Sequence, residues 1–211
     1  MNLSTRHVTI LLVLFFLSSP SLDAQNKSPE SNVLDMLKPN VQKTLSILQD
    51  SSLSRSEKQT KIENTLQDLF AYRLMGKLVL GKQHWSSMDD DQKDQYIKLL
   101  KETLKLSYFQ KMEEVSGIQV VYGEPTQKGE NKVYVPTTVQ FRDEDLNVEY
   151  RLYHSGEADP WKVFDIVVKG VSIVKSYRSQ YSDYLKDHSI NQLMDRMAQK
   201  IDELKDEDGA K

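Results

Sequence analysis

Apolar positions recur every three or four residues through the first half of the chain, switch to every second residue, then return to the helical period. Leu34, Leu37, Val41, Leu45 and Leu48 form one stripe, predicting an amphipathic helix interrupted or kinked near Pro39. Ser54 or Ser56 can cap a second helix with Ile62, Leu66, Leu69 and Phe70 on its apolar face. Leu74 to Gly81 is apolar almost all round, so it must be buried on most sides. Asp89, Asp90 and Asp91 open a long helix, where negative charge complements the N-terminal dipole. Its face runs Tyr96, Leu99, Leu100, Thr103, Leu104, Ser107, Tyr108, Met112 and Val115, and Gly117 ends it.

After Gly117 the pattern predicts four strands: Ile118 to Tyr122, Val133 to Phe141, Leu146 to Tyr153 and Trp161 to Val168. The connections between them are rich in Gly, Pro, Asp and Glu. Val133, Val135, Val139 and Phe141 share one side of the second strand; Leu146, Val148, Tyr150 and Leu152 share one side of the third. One sheet face is therefore covered and the other meets water at least in part. The fourth strand does not alternate, so either Val163/Val167 or Phe164/Ile166/Val168 faces inward. Two helices close the chain, with stripes Val171, Val174, Tyr177, Tyr181, Tyr184 and Ile190, Leu193, Met194, Met197, Ile201, Leu204. The sum is one α+β domain over residues 33–205, an antiparallel four-stranded meander packed with N- and C-terminal helices. A polar flexible leader is expected over 25–32 and a frayed tail over 206–211.

The first 24 residues change the compartment. Arg6 and His7 precede the apolar run Val8 to Leu17, Ser18-Ser19-Pro20 breaks it, and Leu22-Asp23-Ala24 supplies a cleavage site before Gln25. This is the layout of a secretory signal peptide. Ten residues span about 15 Å as a helix, roughly half a bilayer core, which is too short for an anchor. Of the 211 residues, 38% are hydrophobic and 28% charged, a globular balance. The net charge of −3, with no basic patch interleaved with aromatics, argues against nucleic acid. Absence of cysteine excludes disulfides, a lipidated N-terminal cysteine and thiolate chemistry, and suits an exported protein of the periplasm.

Chemistry is sparse. His84, His154 and His188 are isolated, with no metal-ligand spacing, and no GxSxG, P-loop or GxGxxG occurs, so no metal or cofactor is expected. Asp165 stands inside the apolar run Val163 to Val168. It is either a structural ion pair with Arg178, thirteen residues on, or a general base at the edge of an apolar space. No second polar group converges on it, which favours the ion pair. Trp85, Trp161 and the tyrosine stripe read first as packing residues.

Two stretches carry a resemblance. The first is Leu74-Met75-Gly76-Lys77-Leu78-Val79-Leu80-Gly81-Lys82-Gln83-His84-Trp85, followed by Met88, Gln92, Tyr96 and Tyr108. The second runs from Trp161 to Tyr181 and contains WKVFD followed by GVSIVKSYRSQ. Together they resemble the MlaC, or toluene-tolerance, family of periplasmic phospholipid carriers, over about residues 30–204. One departure is the longer, more acidic turn Ser155 to Asp159. The resemblance implies an apolar cavity holding acyl chains, with the headgroup at its mouth. It implies no catalysis but lipid transport that maintains outer-membrane lipid asymmetry. It also implies docking on an outer-membrane lipoprotein–porin complex and on the substrate-binding subunit of an inner-membrane ABC transporter. Candidate wall residues are then Leu78, Val79, Leu100, Leu104, Tyr108, Met112, Val135, Val139, Phe141, Val148, Tyr150, Leu152, Val174 and Tyr181. Two other classes stay open: a small exported isomerase or hydrolase using Asp165, and a periplasmic chaperone or interaction module using the tyrosine stripe.

Overall fold

The computed structural model describes residues 29–113, 118–141, 144–156 and 159–209, with the side chains of 29, 31, 109–113, 141 and 207–209 outside the description. The expected signal peptide and the helix-ending Gly117 therefore lie outside the described residues, as do the side chains of Met112 and Phe141. Helix α1 spans Pro29–Gln49. Proline at a first helical position and Glu30 in the first turn both favour a helix start, so the expected leader is already helical from Pro29. The helix runs through Pro39 as one element. The Asn40 side chain donates to the Met36 carbonyl at 2.8 Å, one residue from the N–H that proline lacks.

Helix α2 spans Arg55–Leu66 and is capped by Ser54 rather than Ser56: Ser54 and Glu57 form a reciprocal capping box. Leu69 and Phe70 are not on this helix. They lie in a short extended segment beside Val163, with Ala71 N–H donating to the Val163 carbonyl and Val163 N–H to the Leu69 carbonyl, both at 2.8 Å. Helix α3, Tyr72–Ser87, breaks its helical dihedrals at Gly81 (φ 77°), a backbone conformation that glycine adopts without strain. Helix α4 spans Asp90–Glu113, and the Asp89 carboxylate accepts from Gln92 N–H at its start.

Six strands follow: β1 Gln119–Tyr122, β2 Thr126–Gln127, β3 Lys132–Phe141, β4 Glu144–Tyr153, β5 Lys162–Val168 and β6 Val171–Ser172. The order is β1-β3-β4-β5-β6, all antiparallel, with β2 also on β3. The four expected strands are present, and two short ones join them. Helices α5, Ile173–Tyr184, and α6, Ile190–Gly209, complete the α+β domain. Helix α6 runs on to Gly209, into the tail expected to fray over 206–211.

The β4–β5 register slips between Arg151 and Leu152: Leu152 faces Val163 but Arg151 faces Asp165, so Phe164 is the extra residue of a bulge. Val163 therefore shares the face of Leu152, and Ile166 and Val168 share the face of Tyr150 and Val148. Neither simple alternation considered for this strand holds.

Two cores result. On one sheet face, Val33 and Leu37 of α1 cover Val133, Val135, Leu152 and Val163, all fully buried. The second core lies where α3, α4, α5 and α6 meet. It contains Met75, Val79, Trp85, Tyr96, Leu100, Val174, Tyr181 and Leu193, and Phe164 of β5 reaches into it. The joint between α3 and α4 leaves no room at Gly76. A Cβ there would overlap Ile97 Cδ1 and stand 3.0 Å from Cε1 of the fully buried Tyr96. Gly76→Val should therefore lower stability by about 1–3 kcal/mol through overpacking, whereas Lys77→Val on the exposed side should stay within about 0.5 kcal/mol. Urea midpoints of the two variants check this; equal midpoints would contradict the close approach.

Candidate functional site

Beyond the part of the sheet that α1 seals, the same sheet face is left unfilled. A cavity of about 600 Å³ lies there, within the range of about 300–1,000 Å³ usual for ligand sites. The C-terminal half of α1 contributes Val41, Leu45 and Leu48, and α2 contributes Ile62 and Leu66. The sheet contributes Val120, Val139, Leu146, Tyr150, Ile166 and Val168; Leu104 and Tyr108 of α4 and Ile173 of α5 close the sides. The two aliphatic hydroxyls on the wall are turned back on the protein. Thr44 donates to the Asn40 carbonyl and Ser176 to the Ser172 carbonyl, both at 2.9 Å. Burial raises the pKa of the Tyr150 and Tyr108 phenols, so both remain neutral at physiological pH.

Among the described residues, charge on the wall comes from α2 and α4: Glu63, Lys101, Glu102 and Lys105, with Gln59 and Gln67 also on the wall. Lys105 pairs with Glu102 at 2.6 Å along its own helix and with Glu63 of α2 at 3.4 Å. Burial opposes the Lys105 charge, but the hydrogen bonds and charges of Glu102 and Glu63 outweigh it and raise the pKa. Lys101 Nζ sits 4.9 Å from the centre of the Tyr72 ring. Burial, and then the Glu63 charge, push the Tyr72 phenol up to about 12. On the far side of α1 a groove of about 530 Å³ shares Val41, Leu45, Ile118 and Val120 with the cavity and is edged by Lys38, whose Nζ lies 5.3 Å over the Tyr122 ring.

Of the expected wall residues, Leu104, Tyr108, Val139 and Tyr150 line this cavity. Val79, Leu100, Val174 and Tyr181 are instead packed in the four-helix core, with Leu78 against it. Val135 and Leu152 point from the cavity's own sheet face but lie under α1, and Val148 is buried off the wall. The reading from sequence missed the whole α1–α2 side. The stripe Leu34–Leu48 was visible, but nothing in it distinguishes Leu37, which is sealed, from Leu45, which is not.

The expected Asp165–Arg178 pair is replaced by another. Asp165, 3% exposed, meets Arg151 at 3.2 Å, accepts from Ser172 Oγ at 2.7 Å and from Val174 N–H at 3.1 Å. Cross-strand register brings Arg151 opposite it, and the start of α5 presents its free N–H. Arg151 also pairs with Glu149 at 2.8 Å and lies 4.8 Å over the Tyr134 ring. Arg178 donates instead to the Leu78 carbonyl at 3.1 Å, beside the break at Gly81, and so ties α5 to α3. Asp165 does not line the cavity. Tyr181 is 8% exposed with Tyr177 edge-on to its ring at 5.7 Å, so the tyrosine stripe is largely packed. Among the described residues no group of acids and histidines could hold a metal, and no helix is long and apolar enough to cross a membrane.

The architecture is that of an α+β domain with a largely apolar cavity between an antiparallel sheet and its helices. The family model described as MlaC protein matches residues 38–199, and the chain belongs to that family. Among solved structures, the fold is similar to that of a phospholipid-binding protein from Ralstonia solanacearum solved with a phospholipid. The TM-score is 0.73 at 21% identity, covering 81% of this chain and 97% of that one. No curated protein matches the chain.

The Asp165 cluster generates a stability prediction. Asp165→Ala leaves Arg151 with Glu149 but takes the acceptor from Ser172 Oγ and Val174 N–H, and should cost about 2–4 kcal/mol, at about 1–3 kcal/mol for each buried donor left unpaired. Asp165→Asn, which keeps one carbonyl acceptor, should cost about 1–3 kcal/mol. Urea unfolding measures both, and an Ala variant within error of the parent would contradict a structural role.

Proposed function

We propose that the protein is a soluble periplasmic carrier that holds the acyl chains of phospholipid in the cavity between α1–α2 and the sheet. The observation that carries this reading is the segregation of the wall. Apolar side chains of α1, α2, α4, α5 and the sheet line the cavity, and among the described residues every charged group on its wall belongs to α2 or α4. Membership of the MlaC family and the phospholipid in the Ralstonia protein support the same class of ligand.

The energetics suit a shuttle. Two chains of about 16 carbons, at about 0.8 kcal/mol per CH₂, avoid roughly 25 kcal/mol of exposure to water when buried. A bilayer offers nearly the same, so exchange between membrane and cavity is close to balanced. Docking partners then set the direction: on this reading, a lipoprotein–porin complex at the outer membrane and an ABC transporter's substrate-binding subunit at the inner one. Such traffic serves lipid asymmetry of the outer membrane. An enzymatic reading has less support, since both Asp165 oxygens are held inside the fold and away from the cavity.

Protein purified without detergent should release phospholipid on solvent extraction, and lipid-free protein should take labelled phospholipid from vesicles. Leu104→Glu and Val139→Asp each place a carboxylate in the hydrocarbon wall, where ionisation is costly. Each variant should retain less than about a tenth of the parent's lipid while still folding, because a penalty above 1.4 kcal/mol is more than tenfold in affinity. Mass spectrometry of the extracts decides. Parent protein that neither carries nor takes up lipid would overturn the proposal.

A further inference from the structure

On the carrier reading, the tails occupy hydrocarbon but the phosphodiester cannot follow them, because an ionised group without partners is not tolerated there. It must stop at the first polar ring it reaches. Among the described residues the cations on the cavity wall are Lys101 and Lys105, four residues apart on α4 and so one turn apart on the same face. Both are half-buried, as suits a long side chain that covers apolar surface with its stem. Among the described residues no carboxylate pairs with Lys101; its ammonium rests over the Tyr72 ring. Lys105 has two carboxylates, but the bond to Glu63 is the longer, at 3.4 Å against 2.6 Å for Glu102, and it joins α4 to α2 at the cavity wall.

We infer that Lys101 and Lys105 form the phosphate seat for a phospholipid whose tails fill the cavity, and that Lys105 exchanges Glu63 for the phosphate when lipid binds. The inference rests on the carrier reading and adds the position of the headgroup. An ammonium offers three donors and a phosphodiester two unbridged oxygens, so the two lysines together can neutralise and hydrogen-bond it. Glu63 and Glu102 balance the two cations, so the seat is weak. That suits a carrier, since a strong anchor would hold the lipid against release.

The test compares retention of phosphatidylglycerol with that of diacylglycerol bearing the same chains, in the parent, in Lys101→Gln/Lys105→Gln, and in Lys38→Gln at the neighbouring groove. The parent should retain the phospholipid at least about tenfold longer, the size expected of partly exposed charge-assisted bonds. The double variant should bring that ratio close to one by losing phospholipid alone, and Lys38→Gln should leave it unchanged. Inorganic phosphate at millimolar concentration should not stabilise the lipid-free parent against heat. A ratio that survives in the double variant overturns the seat, as does one that falls only in Lys38→Gln. Equal loss of both lipids in a double variant that melts normally would make the lysines shapers of the mouth and also overturn it. Stabilisation by free phosphate that vanishes in the double variant would assign the seat to free phosphate instead of lipid. A parent that holds neither lipid would bring down the carrier reading itself, and the seat with it.

Discussion

The bulge at Phe164 decides what the inside of this protein can hold. Strand residues alternate between faces, so in a regular β5 the inward position of Val163 would be followed by an inward Asp165. That would put a carboxylate among Tyr150, Leu104 and Ile62. The extra residue opposite Arg151 and Leu152 reverses the parity: Phe164 joins the helical core, Asp165 turns to Arg151 and the start of α5, and Ile166 and Val168 face the cavity. One inserted residue thus keeps the interior hydrocarbon and places a buried acid where three donors satisfy it. The two effects are one device, because the Asp165 bonds hold the bulge in place.

The cavity exists because one sheet face is covered in two ways. At one end Val33 and Leu37 sit directly on Val133, Val135 and Leu152 and exclude everything else. At the other, α1 and the capped helix α2 stand off from Val139, Leu146 and Tyr150, and the gap between them is the cavity. Empty apolar volume in a folded protein forgoes dispersion contacts and carries a cost. A fold that keeps such a volume must recover that stability elsewhere. Here the four-helix core does so, with fourteen buried residues from Ala71 to Met197 and the Arg178 tether between α5 and α3.

Much of the architecture was legible in the chain, because periodicity reports which face of an element is covered. The four main strands and the helix stripes were found on that basis. Periodicity does not report what covers a face. Leu152 and Tyr150 lie two residues apart on the same side of β4, yet only Tyr150 lines the cavity. Asp165 shows a second limit. Arg178 and Arg151 are nearly equidistant from it in sequence, and only the strand register, which a slip of one residue would undo, selects Arg151. The two stretches that carried the family resemblance also proved informative in an unexpected way. Gly76, Gly81, Asp165 and Arg178 lie at the joints between α3, α4, α5 and the sheet, so those motifs specify the frame more than the cavity wall.

The central claim is that fatty chains occupy the unfilled space between α1–α2 and the sheet. Crystals of the protein loaded with a phospholipid brominated along its acyl chains test it directly through anomalous scattering. Bromine peaks are expected among Ile62, Leu104, Val139 and Ile166. Peaks lying only on the outer surface, or a cavity collapsed by inward movement of α2 with no peaks inside it, would contradict it.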